Sequence, residues 1–197
     1  MTGPQSLPAV ISASRRTDIP AHYLDWFLNG LRLGNFILRN PYNGTERRIP
    51  VGRETVHSIV FWSKNPALLI EHFPGIIARF PGSYLQFTLN DYDRERLEPG
   101  VPPLTDRLKT LELLARIIGR ERIIWRFDPI LVADTLSLDA VLDRLELLAK
   151  KIIPLSAGLV FSFLDFDRYT TVRSRLRRSA DIFSGPPERY RITAEMK

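Results

Sequence analysis

Residues 59–66 read Ile-Val-Phe-Trp-Ser-Lys-Asn-Pro and join a strand, a polar turn and the start of a helix in one short segment. The apolar residues 59–62 are typical of a strand covered on both faces in a parallel sheet. Ser63, Lys64 and Asn65 follow where that strand ends, and Asn65 before Pro66 favours a helix N-cap and a first helical turn. Because α/β folds bind ligands at the carboxyl ends of their strands, this segment predicts both a fold class and the position of a site.

Strand-like segments recur along the chain in alternation with helical ones. Besides residues 59–62, strands are predicted at residues 9–14, 36–39, 84–90, 123–128 and 158–165. A chain of 197 residues with 44% hydrophobic content fits one domain of generous size. We therefore predict a single α/β domain over residues 1–197, with about six parallel strands joined by right-handed crossovers.

The helical segments have apolar stripes and recognisable ends. The first is predicted from Pro20 to Gly34, with Tyr23, Phe27 and Leu31 as its buried stripe. Further helices are predicted from Pro66, with an interruption at Pro74-Gly75, and over residues 104–118 and 138–148, and a basic segment at 168–178 is predicted to begin another. The segment 91–103 is too long and too charged to be a plain connector, and loops of this kind tend to be lids or binding elements.

Alternation within the strands favours a barrel over an open doubly wound sheet. Gln86, Thr88 and Asn90 share one face of their strand, and Arg126 and Asp128 share one face of the next. A sheet covered by helices on both sides would bury these polar groups at a cost. The prediction is a partial (β/α) TIM-like barrel with apolar side chains facing the helices and polar ones facing a solvent-accessible interior.

Polar side chains at the predicted strand ends are the candidate ligand-binding residues. A net charge of +6 and several arginines among them favour an anionic ligand, although a solvated basic surface gives the same charge. Simpler structural roles are helix capping for Asp18 and Asn65, mutual pairing for Arg126 and Asp128, and a solvated turn for Asp165. The full set is Ser14, Arg15, Arg16, Asp18, Arg39, Asn40, Lys64, Asn65, Gln86, Thr88, Arg126, Asp128, Ser162 and Asp165.

The absence of certain residue types and motifs from the sequence argues against several classes of site. The chain has no cysteine, which excludes disulfides, thiolate metal ligands and cysteine nucleophiles within it. The three histidines have no metal-site spacing, and phosphate-loop, dinucleotide and nucleophile-elbow motifs are absent. Trp62, Trp125 and Phe127 are interpreted as packing against helices. Without a signal peptide or a long apolar run, the expectation is a cytoplasmic protein with no membrane partner.

Five segments together resemble one family. It is an uncharacterised prokaryotic domain-of-unknown-function family, whose longer members carry a C-terminal cysteine cluster similar to the iron–sulfur motif of radical S-adenosylmethionine enzymes. The resemblance implies a radical-SAM-like partial barrel with an iron–sulfur cluster and S-adenosylmethionine at its mouth. Since this chain has no cysteine, the cluster-binding segment is expected to be missing from it. The matching segments are ISASRRTDIP at 11–20, RNPY at 39–42, VFWSKNP at 60–66, QFTL at 86–89 and WRFDPI at 125–130.

The leading hypothesis is the scaffold of a radical-SAM-like enzyme that binds a small anionic or nucleotide-like ligand at the barrel mouth. The alternative is a non-catalytic nucleic-acid or protein-binding module that uses the basic segment 168–178. A third possibility is a cofactor-independent barrel enzyme using Asp128 or Asp165. Substrate, reaction and catalytic residues are not indicated by the sequence.

Overall fold

The computed structural model describes residues 9–14 and 17–164 of the chain. The strands are β1 (Ala9–Ala13), β2 (Asn35–Arg39), β3 (Glu46–Pro50), β4 (Val56–Ser63), β5 (Tyr84–Thr88), β6 (Ile123–Ile130) and β7 (Gly158–Phe163). The α-helices are α1 (Ile19–His22), α2 (Leu24–Leu33), α3 (Phe73–Arg79), α4 (Leu104–Ile118) and α5 (Leu138–Ile152). Short 3-10 turns lie at Ala67–Leu69, Arg120–Arg122 and Ile153–Leu155.

Five parallel strands form the central sheet in the order β1-β4-β5-β6-β7. Each crossover adds the new strand on the same side of the previous one. Because parallel crossovers are right-handed, connections that all run in one direction place their helices on one face of the sheet. This order confirms the predicted α/β class. Within the described residues the sheet does not close into a barrel, and β1 and β7 form its two edges.

The predicted strand at residues 36–39 does not belong to the parallel sheet. It forms β2, which pairs antiparallel with β3 to make a separate two-stranded hairpin, called here the 35–50 hairpin. Only the short turn at residues 40–45 separates β2 from β3. Such a turn is enough to join two antiparallel strands, whereas two parallel strands need a crossover of about a dozen residues or more. The parallel sheet therefore has five described strands instead of the expected six.

One face of the sheet packs against the helices and forms the core. Phe61 of β4 lies 5.3 Å from Phe27 of α2 and 5.4 Å from Phe73 of α3, measured between ring centres. Trp125 and Phe127 of β6 are buried on this face, as predicted. The remaining core side chains of the sheet and helices include Ile59, Leu85, Phe87, Leu111, Leu114, Val141, Leu148 and Ile152.

The opposite face of the sheet is polar and partly exposed in the described part of the chain. Strand register pairs Trp62 with Gln86 and Thr88 with Arg126, so these four side chains point to the same side. We call this side the open face. The alternation in β5 and β6 therefore separates apolar from polar side chains as predicted, but Trp62 lies on the open face and not against the helices as expected.

Two predicted helices differ in where they begin and end. The helix expected from Pro20 is divided at Tyr23, whose φ of −135° interrupts it, and Tyr23 itself is exposed. The helix expected from Pro66 is only a 3-10 turn, and α3 begins at Phe73. Pro74 therefore lies in a first helical turn, where its missing N–H costs nothing. The predicted stop at Gly34 is confirmed, with a left-handed φ of 73°.

The basic segment 168–178 lies outside the described residues. In the part of the chain that the structure covers, no helix combines the length and apolarity that crossing a bilayer requires.

Candidate ligand-binding site

The end of β4 is tied to the turn that follows β1 by one carboxylate. Asp18 caps α1, since its Oδ1 accepts a hydrogen bond from the Ala21 N–H at 3.1 Å. Its Oδ2 accepts from the Ser63 hydroxyl at 2.9 Å and from the Lys64 N–H at 2.8 Å. Asp18 thus serves as the predicted cap and also fixes the polar turn after β4. Ser14 completes this corner by accepting from the Ile19 N–H at 3.2 Å.

Arg126 is the centre of the open face. Its Nη1 donates to Gln86 Oε1 at 2.6 Å, and its Nη2 forms an ion pair with Asp128. Its guanidinium carbon lies 4.5 Å from the centre of the Trp62 ring, a cation–π geometry. The other carboxylate oxygen of Asp128 accepts from Ser162 of β7. The pairing of Arg126 with Asp128 is confirmed, and it joins side chains from β4, β5, β6 and β7.

Glu98 brings the 91–103 loop to the same edge of the sheet. Its carboxylate pairs with Lys64 and accepts from Asn90 Nδ2 and from Arg107 Nη1, each at 3.4 Å. Asn90 also donates to the Asp128 carbonyl at 2.9 Å and accepts from the Asp128 N–H at 2.8 Å. The loop is therefore connected through Asn90 to the Arg126 cluster.

The first half of the 91–103 loop is held by two helices and the β6 end. Arg144 of α5 pairs with Glu95 at 2.8 Å, and Arg107 of α4 pairs with Asp93 at 2.9 Å. The Tyr92 hydroxyl donates to the Pro129 carbonyl at 2.8 Å and accepts from the Leu131 N–H at 3.2 Å. Burial raises the pKa of Tyr92 above its ordinary value. This loop is thus a fixed part of the site and not a plain connector.

Two carboxylates of the loop have pKa values displaced in opposite directions. Burial raises the pKa of Asp91, and the charge of Arg144 offsets this only in part. Burial also acts to raise the pKa of Glu95, but the hydrogen bonds and the charge of Arg144 together lower it below its ordinary value. The ionised form of Glu95 therefore stabilises the folded protein.

Glu95→Gln is expected to lower the free energy of unfolding near neutral pH by about 2 kcal/mol, because it weakens a charged hydrogen-bonded pair. The pKa of Glu95 is depressed in the folded state, so this contribution exists above the unfolded pKa of roughly 4.3 and disappears as pH falls through the folded value. Urea denaturation of both proteins should show a difference that shrinks below about pH 4. Glu146→Gln, in an exposed pair with Lys150, should change nothing measurable. A pH-independent difference for Glu95→Gln would contradict this assignment.

The described cations of the site are all paired with carboxylates. Lys64 pairs with Glu98, Arg107 with Glu98 and Asp93, and Arg126 with Asp128. An anionic ligand would therefore have to displace or share an internal carboxylate. Arg15, Arg16 and Asp165 lie outside the described residues.

The structure brings together most of the sequence-predicted site residues. Thr88 lies beside Arg126 on the open face, and the Asn65 N–H donates to the Ser63 hydroxyl at 3.0 Å, although the Asn65 side chain is no cap in the described structure. Arg39 and Asn40 lie instead at the turn of the 35–50 hairpin, where no described hydrogen bond or ion pair links them to the site. The residues that do gather are Ser14, Asp18, Lys64, Asn65, Gln86, Thr88, Arg126, Asp128 and Ser162.

The site includes Trp62, Glu98 and Arg107, which the sequence did not indicate as site residues. In the sequence, Trp62 is one more apolar residue in a run that predicts a buried strand. Glu98 is one of several charges in its loop. Arg107 could have been recognised in the sequence, because it is a charged residue within the apolar stripe of α4. It lies three positions after Leu104 and four before Leu111.

These features define a mixed α/β protein with a five-stranded parallel sheet and a polar cluster at the carboxyl edge of its open face. The chain belongs to the family described as Domain of unknown function (DUF1848), whose model matches residues 10–196. No curated protein and no solved structure matches the chain.

The iron–sulfur cluster implied by the resemblance does not fit the residues of this chain. The sequence has no cysteine, so no thiolate ligand is available within it. Among the described residues, no group of three or more His, Asp or Glu side chains is arranged to hold a metal ion.

Proposed function

We propose that the protein binds a small anionic or nucleotide-like ligand on the open face of its sheet, at the carboxyl edge. One observation carries this proposal: four neighbouring strands and the 91–103 loop direct polar side chains to one cluster on the face that the described helices leave uncovered. Ligands of α/β proteins bind at this edge because the loops that follow the strands meet there.

The chemistry of the cluster favours a ligand with both a planar and a charged part. The stacked Arg126 and Trp62 offer a flat cationic surface, and a carboxylate or phosphate that displaces or shares Asp128 gains a charged hydrogen bond from Arg126. Gln86 and Ser162 add neutral hydrogen-bonding groups on either side. An adenine nucleotide or S-adenosylmethionine has this combination of groups.

A catalytic role is the further part of the proposal. Each new strand of the sheet is added on the same side of the previous one, and the described helices leave one face uncovered; both features support a partial TIM-like barrel. The family resemblance implies the same architecture. Any cluster would need ligands from outside these 197 residues, which contain no cysteine. A cofactor-independent reaction using Asp128 is the other catalytic proposal.

A nucleic-acid-binding module is a second candidate, favoured by the 35–50 hairpin. Arg39, Arg47 and Arg48 are exposed there and form no ion pair within the described residues. Tyr42 at the turn is 94% exposed, and an exposed ring beside arginines can stack on a base. This surface is separate from the open face, so the two candidates can be tested against each other.

Arg126→Ala is expected to weaken binding of adenosine monophosphate or S-adenosylmethionine by roughly tenfold or more, because a partly buried charged hydrogen bond contributes about 1.5–3 kcal/mol. Isothermal titration calorimetry of each ligand provides the measurement. Arg48→Ala is the matched control, since it removes an arginine from the exposed hairpin and leaves the open face unchanged.

The result for the control decides between the candidates. Equal affinities of Arg126→Ala and the parent protein would contradict ligand binding at the open face. If Arg48→Ala also abolished salt-sensitive binding of single-stranded RNA, the nucleic-acid module would replace the pocket as the proposed function.

A further inference from the structure

The Glu98 carboxylate occupies a position that three donors from different parts of the fold surround. Lys64 follows β4, Asn90 follows β5 and Arg107 lies at the end of the first turn of α4. The Glu98 side chain is only 2% exposed, and that of Arg107 is 1% exposed. Two donors directly follow strands of the sheet and the third lies in a long helix, whereas the acceptor comes from the 91–103 loop.

The donor set is larger than one carboxylate satisfies. Charge-assisted N–H to carboxylate bonds are ordinarily about 2.7–2.9 Å long. The contacts from Asn90 and Arg107 to Glu98 are both 3.4 Å. Arg107 Nε is buried and has no hydrogen-bond partner among the described residues. Asn90 Nδ2 and Arg107 Nη2 have other acceptors at 2.9 Å, the Asp128 carbonyl and the Asp93 carboxylate, but their contacts with Glu98 itself are long or absent. The pocket can therefore accommodate more or better-placed oxygens than the Glu98 carboxylate supplies.

Glu98 can leave this pocket without disturbing the sheet. Two residues before it, Arg96 has a left-handed φ of 54°, and two residues after it Gly100 has a φ of 82°. Tyr92 and Glu95 hold the start of the loop through contacts of their own. Leu97 packs against the core and its N–H donates to the Tyr92 carbonyl at 3.4 Å, so departure of Glu98 needs movement only of Glu98 and the turn that follows it.

We propose that Lys64, Asn90 and Arg107 form an oxyanion-binding pocket, and that Glu98 fills this pocket until a phosphate or carboxylate group of the ligand displaces it. This inference rests on the proposed function, and it places the anionic group of the ligand beside Lys64, next to the cluster of Arg126. Lysine and arginine together suit such a group, because one supplies a compact charge and the other a planar pair of donors. Phosphate has more oxygens than the carboxylate it would replace, so it can accept closer hydrogen bonds from Asn90 and Arg107 than the 3.4 Å contacts that Glu98 makes.

The first test removes the internal competitor. A tethered acceptor competes at an effective concentration in the millimolar range, so Glu98→Gln should bind inorganic phosphate about tenfold tighter than the parent protein or better. Adding Lys64→Met to Glu98→Gln should abolish the gain. Calorimetric titrations with phosphate and with malonate show whether the pocket prefers phosphate or carboxylate oxygens, and sodium chloride at equal ionic strength gives the background.

Glu146→Gln is the control for net charge, because it removes one exposed carboxylate of α5 and leaves the 91–103 loop, Lys64 and Arg107 untouched. No gain in phosphate or malonate affinity for Glu98→Gln would overturn the proposal. An equal gain for Glu146→Gln would also overturn it, since the effect would then come from net charge alone.

A second measurement uses the parent protein and does not depend on how the variants fold. If phosphate displaces Glu98, saturating phosphate should speed hydrogen exchange of the Glu98, Gly100 and Val101 amides, the last of which donates to the Glu98 carbonyl, whereas an ordinary ligand contact slows exchange. Unchanged or slower exchange in that segment would overturn the proposal. If phosphate does not speed exchange but nucleotide binding still depends on Arg126, the proposed function stands and the pocket proposal fails. If nucleotides do not bind but phosphate still speeds exchange, only the proposed function fails.

Discussion

Replacing Trp125 with alanine is expected to lower the free energy of unfolding by about 3–5 kcal/mol. The side chain is 1% exposed at the centre of the helix-facing side of the sheet. It packs edge-on against Phe127 with ring centres 6.1 Å apart, and its Nε1 donates to the Leu89 carbonyl at 3.0 Å. The substitution therefore removes a large apolar volume and also leaves a buried carbonyl without its donor.

Chemical denaturation followed by circular dichroism measures this loss. Trp26→Ala is the control, because Trp26 is 45% exposed on α2 and its removal should cost far less. Similar losses for the two variants would mean that Trp125 is not in the core and that the assignment of the two sheet faces is wrong.

Arg107→Ala is expected to destabilise the protein by about 3–5 kcal/mol, although the residue is charged and lies in a helix. Arg107 pairs with Glu98 and Asp93 while 1% exposed, and Glu98 is 2% exposed. Removing the guanidinium leaves the Glu98 carboxylate buried with only Lys64 as an ionic partner. Asp93 is exposed and can be solvated by water, so Glu98 accounts for most of the cost.

The double variant Arg107→Met with Glu98→Leu separates the cost of an unpaired charge from the contribution of the pair. Replacing a buried ion pair with apolar side chains of similar volume is often neutral or stabilising. We therefore expect the double variant to regain most of the stability that Arg107→Ala loses, as measured by urea denaturation. A double variant as unstable as Arg107→Ala would show that the ion pair itself, and not the uncompensated carboxylate, stabilises this region.

The parts of the fold that follow from local pattern could be predicted from the sequence. Period-two alternation at Gln86, Thr88 and Arg126 gives the two faces of β5 and β6 without knowledge of their neighbours. The helix cap at Asp18 and the helix end at Gly34 depend on adjacent residues and backbone conformation, so both could also be predicted.

The pairing partners of strands were less predictable. The short apolar run at 36–39 identifies a strand but not its sheet, and only the turn that follows makes an antiparallel pair with β3 the simpler solution. The same limit applies to Trp62, which faces Arg126 because of its register with β5. Register is a property of two paired strands, so it cannot be predicted from the composition of one strand.

The polar network at the carboxyl edge was only half predictable. The strand-end residues Lys64 and Arg126 follow from the position of each strand. Their carboxylate partners do not follow in the same way, because Glu98 reaches Lys64 through a loop that folds back over the edge of the sheet. Charges that pair across 34 positions leave no local pattern, so the surplus of cations expected from the sequence is balanced in the described site.

Ligand binding at the open face is tested most directly by the indole N–H signals of the three tryptophans in proton–nitrogen correlation NMR. Trp62 lies under Arg126 on the open face, Trp125 lies in the core on the other side of the sheet, and Trp26 lies on α2 beside the 35–50 hairpin. Titration with adenosine monophosphate and with S-adenosylmethionine should shift the Trp62 signal in a saturable way and leave the Trp26 signal in place. A Trp62 signal that does not move at saturating ligand, or a shift confined to Trp26, would contradict binding at the open face.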